Sequence, residues 1–76
     1  MKTTNASVPA RARVFLRLKA VKAKTGLPES TLYYLQAKGK FPRSVKLSER
    51  VAAWDEAEVE AWMAERVAQR DQAAAA

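Results

Sequence analysis

Apolar residues change their spacing several times along this chain, and each change marks a boundary between elements. Residues 1–13 show no period at all: Pro9, small polar residues and the arginines Arg11 and Arg13 predict a flexible basic arm. Val14-Phe15-Leu16 is a short apolar run, a strand-like lead into the fold. From Leu18 to Thr25 the spacing turns helical, with Leu18, Val21 and Thr25 at i, i+3 and i+7 and Lys19, Lys22 and Lys24 turned elsewhere. Gly26 closes that helix where a positive φ costs little, and Leu27 packs inward as the apolar plug of the turn.

Pro28 and Glu29 open a second helix. Proline suits a first turn whose N–H groups lack partners, and Glu29 complements the positive helix end. Leu32 and Leu35, three apart, define its buried stripe, with Thr31 and Gln36 on the flanks. Ser30, Tyr33 and Ala37 lie on the opposite side, Tyr34 at the edge, and Gly39 stops the helix.

From Phe41 to Trp54 the period shortens. Pro42 blocks helix, Val45-Lys46-Leu47 alternates, Ser48-Glu49-Arg50 forms a polar tip, and Val51 to Trp54 returns. This predicts a β-hairpin with a basic outer edge and Arg50 opposite Lys46. Asp55, with Glu58 three residues on, is an aspartate form of the capping box. The third helix is expected to run to about Arg70, with Val59, Trp62, Met63 and Val67 as its apolar stripe. Leu32, Leu35, Trp54 and Trp62 are assigned to the core. The organisation expected is an arm over 1–13, a domain over 14–71 and a frayed alanine-rich tail over 72–76.

Seventy-six residues support one small domain. A chain of this size buries only about 60% of its unfolded surface, so its core is thin. There is no cysteine and no histidine, which removes disulfides and the usual zinc ligands; no metal or cofactor is expected, and a reducing cytoplasm fits. Met1-Lys2 is followed by no apolar h-region, which predicts no signal peptide, and no apolar run is long enough to span a membrane.

Charge changes the picture more than composition does. Residues 1–54 hold 12 Lys/Arg and 2 Asp/Glu, a net +10, and residues 55–76 hold 2 and 6, a net −4. A basic body with an acidic last segment points to a polyanion, most often nucleic acid. An enzyme is not supported. The carboxylates sit on one helix where they serve capping, and no phosphate loop, metal spacing or nucleophile elbow occurs.

Helix, turn, helix, hairpin, helix is the layout of a winged helix-turn-helix, mainly α with a small β-hairpin. A short second helix fits a major groove about 12 Å wide, its N–H groups leading. Ser30 offers a small hydroxyl to base edges. Tyr33 and Tyr34 suit phosphate, sugar or thymine methyl groups, unless one of them packs under the hairpin. Lys38, Lys40 and Arg43 suit phosphate neutralisation, and Lys46 and Arg50 arm the wing. With Glu29, Thr31 and Ser48 at the margins of these elements, this is the expected DNA-facing set.

The run from Leu16 to Arg66 carries L-x-L-x-x-V-x-x-x-T-G-L, S-T-L-Y, K-G-x-F-P, K-L-x-x-R-V-x-x-W and E-V-E-A-W in order. With these motifs the chain resembles the AlpA family of prophage regulators, itself similar to small excisionases with a MerR-like winged-helix fold. The resemblance implies a regulator of a prophage or mobile element that binds double-stranded DNA at an operator or attachment-site region. It would set promoter activity or steer an integrase toward excision, with self-association on DNA a further expectation. The family usually shows a serine at Pro28, a basic residue at Tyr34 and Gly-Pro at Ser48-Glu49. The alternative reading is a protein-interaction module whose acidic third helix binds a recombinase or RNA polymerase, with DNA binding secondary.

Overall fold

In the computed structural model, which describes residues 12–75, the chain forms β1 (Phe15–Leu16), α1 (Leu18–Thr25), α2 (Glu29–Ala37), β2 (Val45–Ser48), β3 (Val51–Asp55) and α3 (Glu56–Ala75). Residues 1–11 of the expected arm, and Ala76, lie outside the described residues. The architecture is mixed, three helices with a three-stranded antiparallel sheet in the order β1-β3-β2. The sequence pointed to a hairpin and a strand-like lead with no pairing partner. The third strand arises because the Val14–Leu16 run is long enough to pair on the free edge of β3, Phe15 against Asp55 and Leu16 against Trp54.

The helix ends follow from local chemistry. Gly26 takes φ 77°, and its N–H donates to the Lys22 carbonyl at 2.8 Å. The Thr25 hydroxyl bridges the turn, donating to the Val21 carbonyl at 2.8 Å and accepting from the Leu27 amide at 3.2 Å. Pro28 stands at the N-cap of α2 in an extended conformation. At the far end Gly39 (φ 72°) donates to the Gln36 carbonyl at 3.0 Å and Lys40 to the Leu35 carbonyl at 2.8 Å. That is the Schellman arrangement, which satisfies carbonyls a helix end leaves over.

The hairpin differs from expectation in register. Lys46 pairs with Ala52 and Ser48 with Val51, so Arg50 lies in the two-residue turn with Glu49 and not opposite Lys46; Ser48 ends β2. No non-glycine residue among those described has a positive φ. The primed turns that match strand twist are therefore not used at Glu49-Arg50. Leu47 is the extra residue of a bulge in β2, which re-aims the strand where the turn does not.

Val21, Leu32, Phe41, Trp54 and Val59 form the buried cluster, bordered by Leu16, Leu18, Leu27, Leu35, Trp62 and Met63. Leu32 and Trp54 sit where the sequence assigned them, while Leu35 and Trp62 are at the border and Phe41 joins unannounced. Val67 is 48% exposed and outside the core. The reason is length: α3 has 20 residues, about 30 Å at 1.5 Å per residue, and outruns the thin core after Met63. It also continues beyond Arg70 to Ala75, because alanine is the residue that helix tolerates best.

Asp55 caps α3, its Oδ1 accepting from the Ala57 amide at 3.0 Å. Glu58 makes no return bond among the described residues. Asp55 is still strand, paired with Phe15, and its other oxygen is held by Arg13.

Candidate nucleic-acid interface

At about 100° per residue, burial of Leu32 against the core turns a fixed set of α2 side chains outward. Glu29, Ser30, Tyr33, Tyr34, Ala37 and Lys38 are exposed, and Thr31 and Gln36 are half-buried on the two flanks. Thr31 is thus partly withdrawn from the set expected to face outward. No side chain caps α2 at Pro28, so the first backbone N–H groups of the helix stand open at its positive end.

The two tyrosines are not equivalent. Tyr33 is 45% exposed and its ring leans on Trp54, centroids 6.2 Å apart at 56°. The aromatic body is thus braced by the largest core side chain. Tyr34 is 61% exposed and touches no core ring; Lys38 Nζ lies 5.6 Å from its centroid. A cation so placed is held loosely along the helix and stays available to solvent.

The rest of the expected set lies on the connector and the hairpin. Lys40 and Arg43 are exposed on the segment between α2 and β2, and Lys46, Ser48 and Arg50 are exposed on the wing. The connector is pinned at every second residue. Trp62 Nε1 donates to the Lys40 carbonyl at 2.7 Å, Trp54 Nε1 to the Pro42 carbonyl at 3.1 Å, and the Ser44 amide to Gln36 Oε1 at 3.2 Å. Short-range order of this kind fixes where Lys40 and Arg43 leave the backbone.

Ion pairing separates the cations into two classes. Among the described residues Arg13 is bound to Asp55, Lys24 to Glu60 at 2.9 Å and Glu56 at 3.4 Å, and Arg70 to Asp71 at 2.8 Å. The hydrogen bond that Lys24 donates to Glu60 raises the Lys24 pKa above its ordinary value, against the opposing effect of burial. Lys38, Lys40, Arg43, Lys46 and Arg50 carry no ion pair among the described residues, and neither do Arg17, Lys19, Lys22 and Arg66. Their charge is free for an anion.

Sequence reasoning missed three features. Gln36 was read only as a flanking residue; its carboxamide joins α2 to the hairpin. Lys24 was read only as turned away from the apolar stripe of α1. The signal for it lay in Glu56 and Glu60, four apart on one face of α3 and therefore able to share one cation. Arg13 was assigned to the arm; a buried N-cap carboxylate such as Asp55, 6% exposed, requires a partner of this kind.

No group of acidic side chains among the described residues is arranged to hold a metal ion, and no helix is long and apolar enough to cross a membrane. What remains is a surface of phenols, a hydroxyl, open amides and unpaired cations.

The chain is similar to an uncharacterized protein, ORF88, of Enterobacteria phage P4, with 48% identity over 56 residues. The matched part is 74% of this chain and 64% of that protein, so the chain spans less than two thirds of this relative's length. Residues 14–67 match the family described by the prophage CP4-57 regulatory protein (AlpA). The match takes in α1, α2, the sheet and the first part of α3, with the exposed face of α2 and the hairpin inside it, and the chain belongs to this family of prophage regulatory proteins.

Proposed function

We propose that the chain is a sequence-specific binder of double-stranded DNA, a winged helix-turn-helix of MerR or excisionase type that regulates a prophage or mobile element. In this reading α2 enters the major groove with its open N–H groups leading, Ser30 and Tyr33 toward base edges. Tyr34, Lys38, Lys40 and Arg43 meet the backbone on either side. The wing follows the adjacent phosphates through Lys46 and Arg50, with Ser48 beside them. Glu29 stands at the helix entry, where a carboxylate accepts from cytosine amino groups, and Thr31 sits at the groove wall.

The observation that carries this reading is the division among the cations. Arg13 and Lys24 are neutralised by the carboxylates at the start of α3, while the cations of the α2 end, the connector and the wing have no ion pair among the described residues. Carboxylates that hold Lys24 and Arg13, with the five cations of the α2 end, the connector and the hairpin left unpaired among the described residues, suit a polyanion surface better than a solubility role.

A second reading has its own support. After Met63 every α3 residue whose side chain is described is exposed, which leaves a length of helix for an integrase, RNA polymerase or a second copy on DNA. This is additive to DNA binding. Footprinting of the purified protein on the DNA around its own gene is the test. Protection of a promoter supports transcriptional regulation, and protection beside an attachment site supports excision. No protection at protein concentrations that coat random DNA would refute sequence-specific binding.

A further inference from the structure

Two elements that grip one duplex must hold a fixed angle to each other, and among the described residues one side chain of α2 hydrogen-bonds to the hairpin region. Gln36 lies on the flank of α2 turned toward the sheet, half-buried. Its Oε1 accepts from Trp54 Nε1 at 3.1 Å and from the Ser44 amide at 3.2 Å. Both partners are donors, so the oxygen and not the amino group of the carboxamide must face them. Trp54 belongs to β3, and Ser44 immediately precedes β2. One atom therefore ties α2 to both strands of the hairpin.

The other bonds of the region do not do this. Trp62 and Trp54 hold the Lys40 and Pro42 carbonyls to α3 and β3, which fixes the connector to the body but not α2 to the wing. The Schellman bonds of Gly39 and Lys40 return to α2 itself. The core side chain Leu32 sets the depth of α2 but leaves rotation about its axis to the flanks. Tyr33, beside Gln36 on the same flank, leans on the same indole.

We propose that Gln36 is a positioning residue that sets the angle between α2 and the β2–β3 wing, so that both elements meet the duplex in register only on the correct site. This rests on the reading of α2 and the wing as the two DNA-contacting elements. Base contacts carry sequence information and phosphate contacts do not. A wing that swings free of α2 still finds phosphates on any duplex, but it no longer rewards the register that the bases demand. Loss of the Gln36 bonds thus erodes specificity and spares non-specific affinity.

The experiment uses the full chain with its footprinted site and a scrambled duplex of equal length, titrated at one salt concentration. Gln36→Met keeps the side-chain length and removes the acceptor. Gln36→Glu keeps an acceptor oxygen, and Gln36→Ala serves as a second deletion with the best helix former. Circular dichroism melts first establish a temperature at which each variant is folded. The expected result is a fall of about tenfold in the specific-to-scrambled affinity ratio for Gln36→Met and Gln36→Ala, the size of one lost discriminating contact. Affinity for scrambled duplex should change by less than about twofold, and Gln36→Glu should recover most of the ratio.

An unchanged ratio in either folded deletion variant overturns the proposal. So does an equal loss on both duplexes, which marks a plain structural role, and so does failure of both variants to fold. The parent protein reports separately on the underlying reading. If it shows no preference for any site, DNA recognition itself fails and not the role of Gln36.

Discussion

Replacing Lys46 and Lys24 one at a time by glutamine separates a cation proposed to meet DNA from one that serves the fold. Both remove one positive charge from a chain of net charge +6, so an effect of overall charge alone would make the two variants alike. The geometry makes them different. Lys46 is exposed on the wing without an ion pair, and Lys24 is spanned by Glu60 and Glu56. If Lys38, Lys40, Arg43, Lys46 and Arg50 each neutralise one phosphate, log K falls against log salt with a slope of about −4.5. Between 50 and 200 mM salt the affinity then drops roughly 500-fold. Lys46→Gln should bring the slope to about −3.6 and the drop to roughly 150-fold. Lys24→Gln should leave the slope at its parent value and lower the melting temperature instead. Fluorescence anisotropy of a labelled duplex over a salt series measures the slopes. Equal slopes for the two variants, or a parent slope near zero, would refute the division of cations into bound and free.

Other expected outcomes follow from single residues. Trp54→Ala empties the centre of the core and should cost about 3–5 kcal/mol, close to the whole stability of roughly 4–11 kcal/mol for a domain this size, so a thermal melt should lose its cooperative transition. Gly39→Ala meets no atom within 4 Å but keeps φ 72°, so chemical denaturation should show a loss of about 1 kcal/mol from backbone strain alone. Val67→Ser, at an exposed site, should shift stability by no more than about 0.5 kcal/mol; a larger loss in a concentration-dependent melt would show that α3 is covered by a second copy. Lys24 has a raised pKa, so its contribution is full below its ordinary value of 10.5 and fades as pH climbs through the raised value. The stability advantage of the parent over Lys24→Met should therefore shrink between pH 9 and strongly alkaline solution.

The elements were legible because each is written in local chemistry. Gly26 and Gly39 mark helix ends that no other residue type would take as readily, and Pro28 and Asp55 mark helix starts. The helical spacing of Leu18 and Val21, and of Leu32 and Leu35, separated core from surface in α1 and α2. What failed was long-range. Pairing of β1 with β3 joins residues some forty apart, and nothing in the period of Val14–Leu16 names its partner. The hairpin register slipped because the bulge at Leu47 adds a residue to one strand, and alternation alone assumes there is none. Val67 fits the apolar stripe of α3 perfectly well as a pattern. Whether a stripe is covered depends on how far the core extends, and that is a property of the other elements. The same limit hid Gln36, whose two bonds depend on where Trp54 and Ser44 come to rest.

The acidic segment takes on a different meaning once its partners are known. On the sequence it reads as a charge-balancing block behind a basic body, or as a docking face. In the fold Asp55, Glu56 and Glu60 are already occupied, holding Arg13 and Lys24 against α3, and Asp71 is paired with Arg70. A body of net +10 repels itself, and exposed ion pairs contribute little apiece. Carboxylates at the start of α3 act where that repulsion would otherwise push α1 and Arg13 off the sheet. They also complement the helix N-terminus, so one set of charges stabilises both α3 and its contact with α1. Their placement matters as much as their number. Asp55, Glu56 and Glu60 neutralise Arg13 and Lys24 and make no ion pair with the cations of α2 and the wing among the described residues. Moving a carboxylate from position 60 of α3 to Ser48 of the wing would keep the net charge unchanged, yet it should both loosen α1 and weaken DNA binding. Charge segregation along the chain thus becomes segregation in space, with the acidic helix keeping the fold intact behind a basic face left open.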